Sequence, residues 1–279
     1  MKLFNKVAII GVGLIGGSIG LGIKKRKLAS QVIGISRHRK TINLAKTRGA
    51  IDYGSLSVSA IRQADLVILA TPVNSIIKIG LKISSLIKPG ALVIDTGSTK
   101  DLIVKRLEAA LPNFVGTHPL SGSERQGVIN ASDNLFCGSI CVLTPTAKTS
   151  QTSLRKIKSL WIQLGTRIIY LSPARHDKLI SYVSHLPHII AFSLMQSVPR
   201  HSLYLASSGL KDTTRIALSP VELWRDILLT NPENTLAALE KFLNSLHQIK
   251  SAIIQNDAKA LKRILRLASL KRQSLKPHR

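Results

Sequence analysis

The stretch VAIIGVGLIGGSIG, residues 7–20, decides the fold of this chain. An apolar run typical of a buried strand breaks into glycines spaced G-x-G-x-x-G, and a helix-like segment comes next. In such a unit Gly11 makes the tight turn, Gly13 lets the backbone approach a pyrophosphate, and Gly16 lets the helix pack against the sheet. The spacing therefore predicts a dinucleotide-binding site at the start of the chain.

The helix after this turn begins near Leu14 and Ile15, whose backbone N–H groups lie at the helix N-terminus, where phosphates bind. Thr71 and Pro72 come directly after another predicted strand, over residues 66–70. The carboxyl ends of parallel strands meet at one edge of a sheet. We therefore expect these four residues to bind the cofactor together with the glycines.

The end of the second predicted strand indicates which dinucleotide is bound. An NAD enzyme usually places an acidic residue there for the ribose hydroxyls. This chain reads GISRHRK over residues 34–40, with Ser36 and Arg37 preceding further cations and no carboxylate. A 2′-phosphate would find cations and a hydroxyl there, so we predict NADP in preference to NAD. The alternative is that these cations form only a solvated patch.

Composition limits the other function classes. The chain has 279 residues, 44% hydrophobic and 19% charged, which suits a globular protein. A formal charge of +26 invites a nucleic-acid interpretation, but the cations are spread along the chain and only 4% of residues are aromatic. No apolar run is long enough to cross a bilayer and no signal peptide is apparent, so we expect a cytoplasmic protein without membrane or nucleic-acid partners. No His/Cys cluster predicts a metal site.

The predicted elements divide the chain into two parts. Short apolar runs alternate with helical segments up to about residue 170, which predicts an α/β, Rossmann-like doubly wound sheet of parallel strands. After Ser172 and Pro173 the pattern is helical, including residues 236–253 and 258–270. We therefore expect a dinucleotide-binding domain over 1–172 and an all-helical substrate and dimerisation domain over 173–279. The predicted strands cover residues 7–10, 32–35, 66–70, 91–95, 114–116, 140–143 and 167–171.

Four further motifs accompany the glycine turn: DTGSTK at residues 95–100, GTHPLSGSERQG at 116–127, SHLPH at 184–188, and KDTTRI at 211–216. In this order, over nearly the whole length, the chain resembles the prephenate and arogenate dehydrogenase family of tyrosine biosynthesis. The resemblance implies an NAD(P)-dependent oxidative decarboxylation of a cyclohexadienol, in which hydride leaves the carbinol carbon, carbon dioxide departs and the ring becomes aromatic. It also implies a homodimer, and we expect a monofunctional form without a fused mutase or regulatory domain.

The resemblance assigns roles to residues of these motifs. His118 matches the catalytic histidine, and its pKa range suits a group that accepts the hydroxyl proton. Ser98 matches a serine that hydrogen-bonds this histidine or the ring hydroxyl, although it also looks like a helix N-cap. Arg215 matches the arginine that binds a substrate carboxylate through its guanidinium fork. Asp212, three residues earlier, would share a helical face with Arg215, orienting it, meeting the substrate or forming a surface ion pair.

The remaining candidate residues concern the substrate side chain. Ser123 and Glu124 are expected to face it, and a carboxylate there could favour the ammonium of arogenate over the keto group of prephenate. Of the two histidines of SHLPH, His185 is the better candidate for lining the site and His188 the weaker. Arg125, which follows Glu124, could neutralise this carboxylate. The resemblance also implies that relatives using prephenate keep an acid at this place and share the second histidine of SHLPH. We therefore predict prephenate as the substrate, with arogenate as the alternative.

Three other interpretations compete with this one. A 6-phosphogluconate or 3-hydroxy-acid dehydrogenase would share the glycine turn but would be expected to show a lysine-centred site. A charge-driven nucleic-acid or surface-binding protein would bind DNA in a salt-dependent way without a cofactor. A degenerate scaffold would not be expected to retain the glycines, His118, Ser98 and Arg215 together.

Overall fold

A computed structural model describes residues 2–122 and 125–275. Eight strands form one sheet in the order β3-β2-β1-β4-β5-β6-β7-β8. The chain reverses its direction of winding at β1, which has β2 on one side and β4 on the other. The strands are β1 Phe4–Ile10, β2 Ala29–Ile35, β3 Tyr53–Ser55, β4 Leu66–Leu69, β5 Leu92–Asp95, β6 Phe114–Pro119, β7 Ile140–Thr144 and β8 Arg167–Tyr170.

Helices cover both faces of the sheet, and every element described after β8 is helical. The helices are α1 Leu14–Lys25, α2 Arg39–Thr47, α3 Val73–Ile83, α4 Asp101–Leu107, α5 Gln151–Gln163, α6 Pro173–Ile180, α7 Leu186–Ser197, α8 Ser208–Thr214, α9 Val221–Thr230, α10 Pro232–Ile254 and α11 Ala258–Gln273. A π-helical turn, Ser181–His185, joins α6 to α7. Within the described residues, no helix is both long and apolar enough to span a membrane.

The fold confirms the predicted Rossmann-like sheet and the helical region after it, with two differences. The strands β6 and β7 run antiparallel, whereas the sequence pattern predicts a parallel sheet. The segment between these strands holds only the short 3-10 turn Val128–Asn130 among its described residues, so it lacks the helix that a parallel crossover needs. The edge strand β3 escapes prediction because it is three residues long and largely exposed, which leaves no apolar run in the sequence.

Two apolar cores lie on opposite faces of the sheet because side chains alternate along each strand. Val7 and Ile9 of β1 belong to the core beneath α1 and α5, while Ala8 and Ile10 belong to the core beneath α3 and α4. Trp224, on α9, is buried in that second core. The helical region is therefore packed directly onto the sheet. A domain division at residue 172 stays a proposal.

The glycine turn is locked by close packing. Gly11 has φ +97°, a left-handed conformation that favours glycine, and its backbone N–H donates to the carbonyl of Ile35 at 2.9 Å. A Cβ at Gly16 would lie 2.0 Å from the Gly11 carbonyl oxygen and 2.9 Å from Ile9 Cγ2. At Gly13, by contrast, no atom lies within 4 Å of a Cβ. The turn is thus tight on its protein side and open at Gly13.

Replacing Gly16 with alanine is therefore expected to lower the free energy of unfolding by about 2 kcal/mol, since backbone must move to admit the methyl group. Gly13→Ala is the matched control and should change that free energy by less than about 0.5 kcal/mol. Urea denaturation measured by circular dichroism compares both variants. Equal stability of the two variants would contradict this packing.

Candidate active site

A cleft of about 700 Å³ lies where the carboxyl ends of the central strands face the helical region. Its sheet side consists of the segments at the ends of β1, β4, β5 and β6, at residues 13–15, 70–73, 96–98 and 118–122. Its other wall comes from the π-helical turn, α7, α9 and the segment that joins α8 to α9. This is the edge at which open α/β sheets bind ligands.

His118, near the end of β6, lines this cleft and is almost fully buried, with 9% of its surface exposed. Its Nδ1 lies 2.9 Å from Nε2 of His176, on α6. Nδ1 of His176 in turn lies 2.7 Å from Oδ1 of Asp177, and both of these residues are buried. A hydrogen-bonded row of two imidazoles and one carboxylate therefore runs from the cleft into the helical region.

Asp177 also fixes the start of α4. Its Oδ1 accepts the backbone N–H of Lys100 at 2.7 Å, and its Oδ2 accepts that of Asp101 at 3.0 Å. These are N–H groups that a helix leaves unpaired at its first turn. The N-cap position of α4 is Lys100, so the prediction that Ser98 caps this helix is wrong. Ser98 instead lines the cleft.

A buried ion pair lies behind the cleft. The ammonium group of Lys100 contacts Oδ2 of Asp95, and neither side chain is exposed to solvent. Asp95 also accepts the backbone N–H of Gly97 at 2.8 Å and that of Thr117 at 3.1 Å. A buried charge pair is tolerable only when its remaining hydrogen-bonding capacity is satisfied. These bonds hold the segment that carries Ser98 and the residue that precedes His118.

Burial keeps the histidines of this region neutral. It lowers the pKa of His118 well below the ordinary value, with nearby His176, Lys100 and His185 acting in the same direction. Burial also lowers the pKa of His176, against the opposing effect of its hydrogen bond to Asp177. A neutral imidazole has a free lone pair, so His118 can accept a proton.

The SHLPH motif presents the second of its histidines to the cleft. His188 lines the cleft wall and stacks on Trp224, with ring centroids 3.5 Å apart and planes 21° apart. Its Nδ1–H donates to the carbonyl of Ser184 at 2.9 Å. His185, the residue preferred from sequence, is fully buried and is absent from the lining among the described residues. Its Nδ1 lies 3.3 Å from Oγ1 of Thr235.

The predicted cofactor residues divide into two groups. Gly13, Leu14, Ile15, Thr71 and Pro72 line the cleft. Oγ1 of Thr71 is buried and has no hydrogen-bond partner within residues 2–122 and 125–275. Both features fit a bound dinucleotide. The dinucleotide would supply a hydrogen-bond partner for the Thr71 hydroxyl, and its pyrophosphate would fill the open space beside the backbone of Gly13.

Gly11 and Gly16 shape the turn from behind, and Ser36 and Arg37 lie at the end of the adjacent strand β2. The hydroxyl of Ser36 accepts the backbone N–H of His38 at 3.2 Å. Arg37 is exposed. The hydrogen bond from Gly11 to the last residue of β2 places this basic segment next to the glycine turn.

The remaining predicted residues differ in their relation to the cleft. Arg215 is exposed and lines the cleft, at the start of a 3-10 turn, Arg215–Leu218. Asp212 is exposed on α8 and, among the described residues, is not part of the lining; the helix ends between it and Arg215. Ser123 and Glu124 lie outside the described residues. In the part of the chain that the structure describes, no three or more His, Cys, Asp or Glu side chains form a group that could hold a metal ion.

Sequence reasoning missed His176 and Asp177. The available signal is their position: two ionisable residues occupy the inward face of α6 with Ile180, and all three are buried. Adjacent polar residues that interrupt the apolar face of an amphipathic helix require buried partners. Those partners come from β6 and α4, about 60 to 80 residues away, and the sequence alone does not identify them.

The neutral histidines predict that acid destabilises the protein. Burial lowers the pKa of His185 to about 4 from its ordinary 6.5. Between these values the unfolded chain binds a proton that the folded chain does not, so stability is full above pH 6.5 and falls as the pH drops toward 4. Between pH 6.5 and 5, His185 alone should remove about 2 kcal/mol.

Urea denaturation at pH 7, 6 and 5 measures this loss. His185→Gln should make the loss of stability between pH 7 and pH 5 smaller by about 2 kcal/mol, because one titrating group is gone. The exposed His247, changed to Gln, is the control and should leave the slope as in the wild type. Constant or rising stability of the wild type from pH 7 to 5 would contradict the burial of neutral imidazoles.

Two family profiles match consecutive parts of the chain. The profile of the prephenate dehydrogenase nucleotide-binding domain matches residues 19–170, and that of the prephenate dehydrogenase dimerization domain matches residues 172–267. The prephenate dehydrogenase of Bacillus subtilis is 35% identical over 98% of this chain and 77% of its own length. The cyclohexadienyl dehydrogenase of Zymomonas mobilis is 32% identical over 92% of this chain and 91% of its own.

Solved structures give the same result. A crystal structure of prephenate dehydrogenase from A. aeolicus, in complex with hydroxyphenyl propionate and NAD+, has a TM-score of 0.92. It is 35% identical and covers 98% of each chain. The arogenate dehydrogenase of Synechocystis has a TM-score of 0.82 at 30% identity, over 96% of this chain and 99% of that one.

Proposed function

The chain belongs to the prephenate dehydrogenase family of oxidoreductases, and on that premise we propose that it oxidises and decarboxylates prephenate to 4-hydroxyphenylpyruvate with a nicotinamide cofactor. The observation that carries the proposal is that one cleft is lined by the open glycine turn, His118 and Arg215. The reaction needs these three functions together: a cofactor cradle, a proton acceptor and a cation for a carboxylate.

Residues of the cleft supply the acid–base chemistry. A nicotinamide dinucleotide held at the glycine turn by Gly13, Leu14 and Ile15 would supply the acceptor for a hydride from the carbinol carbon of the ring. His118, neutral because it is buried, accepts the hydroxyl proton as the carbon is oxidised. The bond to the ring carboxylate then breaks and its electron pair makes the ring aromatic as carbon dioxide leaves. The overall reaction releases no proton, so His118 returns its proton to the phenolic oxygen.

Other residues orient the substrate. Arg215 lines the cleft, and its guanidinium would bind a substrate carboxylate in a bidentate manner. Ser98 lines the same cleft on the His118 side, where its hydroxyl can hydrogen-bond the ring hydroxyl. The stacked pair of His188 and Trp224 gives a rigid aromatic wall for the ring. Gly13, Leu14 and Ile15 would hold the cofactor phosphates at the N-terminus of α1.

Arogenate is the alternative substrate, because the related proteins are named for prephenate, arogenate or cyclohexadienyl substrates. The absorbance of reduced cofactor, measured with prephenate and arogenate and with each dinucleotide, should rise with prephenate.

His118→Asn should lower kcat by at least about 1000-fold, as expected for the loss of a proton acceptor. Arg215→Gln should raise KM at least about tenfold through the loss of a charge-assisted bond. No activity with either substrate would refute the proposal.

We further propose that the enzyme prefers NADP. Ser36 and the exposed Arg37 lie beside the glycine turn, and residues 36–40 contain no carboxylate that would repel a 2′-phosphate. A guanidinium forms charge-assisted hydrogen bonds with phosphate and forms no equivalent bonds with a ribose hydroxyl. The other cations of residues 36–40 would add to the attraction for a 2′-phosphate.

Arg37→Asp should raise the KM for NADP about tenfold or more and lower or maintain that for NAD, because the carboxylate repels phosphate and accepts ribose hydroxyls. Arg167→Asp, on the edge strand β8 at the other end of the sheet, is the matched control and should change neither value. Comparable efficiency of the wild type with both cofactors would refute the preference.

We also propose that the chain forms a homodimer through its helical region. The helix α11 has no buried residue, and Leu265, Leu267 and Leu270 on it are each more than half exposed. The matching family profile is that of a dimerization domain. Light scattering at micromolar concentration should give twice the chain mass of 30.4 kDa. A monomer mass there would contradict the dimer.

A further inference from the structure

We propose that Asp177 and His176 are positioning residues that fix the tautomer of His118, so that its Nε2 carries the lone pair. This inference rests on the proposed function, in which His118 accepts the hydroxyl proton. Its basis is the buried row of hydrogen bonds from Asp177 through His176 to His118, with distances of 2.7 Å and 2.9 Å. Among the described residues that line the cleft, neither His176 nor Asp177 occurs, so we infer that they act through His118.

The direction of each hydrogen bond is set by the carboxylate. Both oxygens of Asp177 already accept backbone N–H groups, from Lys100 and Asp101, so the carboxylate acts as an acceptor only. Nδ1 of the neighbouring His176 must therefore donate its proton to Oδ1. A neutral imidazole has a single N–H, so Nε2 of His176 is an acceptor.

The position of the proton on the second imidazole, that of His118, follows from the first. Nδ1 of His118 faces the acceptor Nε2 of His176, so the single N–H of neutral His118 is on Nδ1. Nε2 of His118 is then left with a lone pair, on the side of the ring away from His176. His118 itself lines the cleft. The substrate hydroxyl thus meets an acceptor nitrogen without any rearrangement of protons.

The opposite arrangement is unfavourable at each link. A proton on Nε2 of His118 would require Nε2–H of His176 to donate to Nδ1 of His118. Nδ1 of a neutral His176 would then oppose Oδ1 of Asp177 with two lone pairs 2.7 Å apart. A doubly protonated His176 could satisfy both bonds, but burial lowers the pKa of His176 and disfavours the cation. A single carboxylate therefore selects the tautomer of His118, to which it is linked by two successive hydrogen bonds. The aspartate of serine protease triads selects the tautomer of its histidine in a similar way.

The backbone bonds of Asp177 make this selection rigid. Asp177 caps α4, and its backbone carbonyl accepts an N–H of the Asn231 side chain at 2.8 Å. The ring of His176 packs edge-on against His118, with planes 66° apart and centroids 5.1 Å apart. Neither His176 nor Asp177 has room to rotate away, because both are essentially inaccessible to solvent.

Two substitutions of His176 separate positioning from packing. His176→Phe keeps the volume of the ring but removes the acceptor, and should lower kcat about 100-fold while changing KM less than about threefold. His176→Gln offers an amide oxygen that can accept Nδ1–H of His118, and should keep kcat within about tenfold of the wild type. His247→Gln, on the exposed surface of α10, is the control and should match the wild type. If His176→Phe retains at least as much kcat as His176→Gln, packing alone explains the residue and the proposal is overturned.

Nitrogen-15 NMR of histidine-labelled protein without substrate or cofactor tests the tautomer directly. The His118 signals, assigned by their loss in His118→Asn, should show a proton on Nδ1 and none on Nε2. A proton on Nε2 would overturn the positioning role even in an active enzyme. Absence of dehydrogenase activity in the wild type would instead refute the proposed function, and the NMR result separates the two failures.

Discussion

The carboxylate of Asp177 is the constraint on which the site depends. It comes from α6, in the helical region, yet it caps α4, which packs on the sheet, and it binds His176. One anionic group therefore satisfies the N-terminus of a helix and begins the row of imidazoles that ends at His118. A shift of α6 relative to the sheet would break all of these bonds together. The cleft between sheet and helices is consequently a property of both halves of the chain.

Charge is buried around the cleft only where it is neutralised. Asp95 and Lys100 are fully buried as a pair, and Asp95 uses its remaining capacity on backbone N–H groups. The histidines nearby avoid the cost of burying a cation by remaining neutral, as the lowered pKa of His118 indicates. The same burial that costs stability in acid leaves the lone pairs free for proton transfer. Stability and reactivity thus have one physical origin in this site.

Local patterns in the sequence predict the strands, the glycine turn and the cleft position of His118, because backbone periodicity and strand ends determine them. The partners of His118 escape prediction because they depend on contacts between distant elements. The placement of the two SHLPH histidines also escapes prediction because it depends on distant partners: His188 stacks on Trp224 at the wall of the cleft, whereas His185 lies against Thr235 of α10. Ser98 has the sequence context of a cap, but Asp177 performs that role from another helix.

A crystal structure of this chain with oxidised cofactor and hydroxyphenylpropionate tests the central claim most directly. If the cleft is the active site, the phenolic oxygen will lie within hydrogen-bond distance of Nε2 of His118. The ring will lie against the nicotinamide, and Arg215 will contact the ligand at its side-chain carboxylate or at the edge of its ring. A ligand whose phenolic oxygen points away from His118, or one bound outside the cleft, would contradict the account.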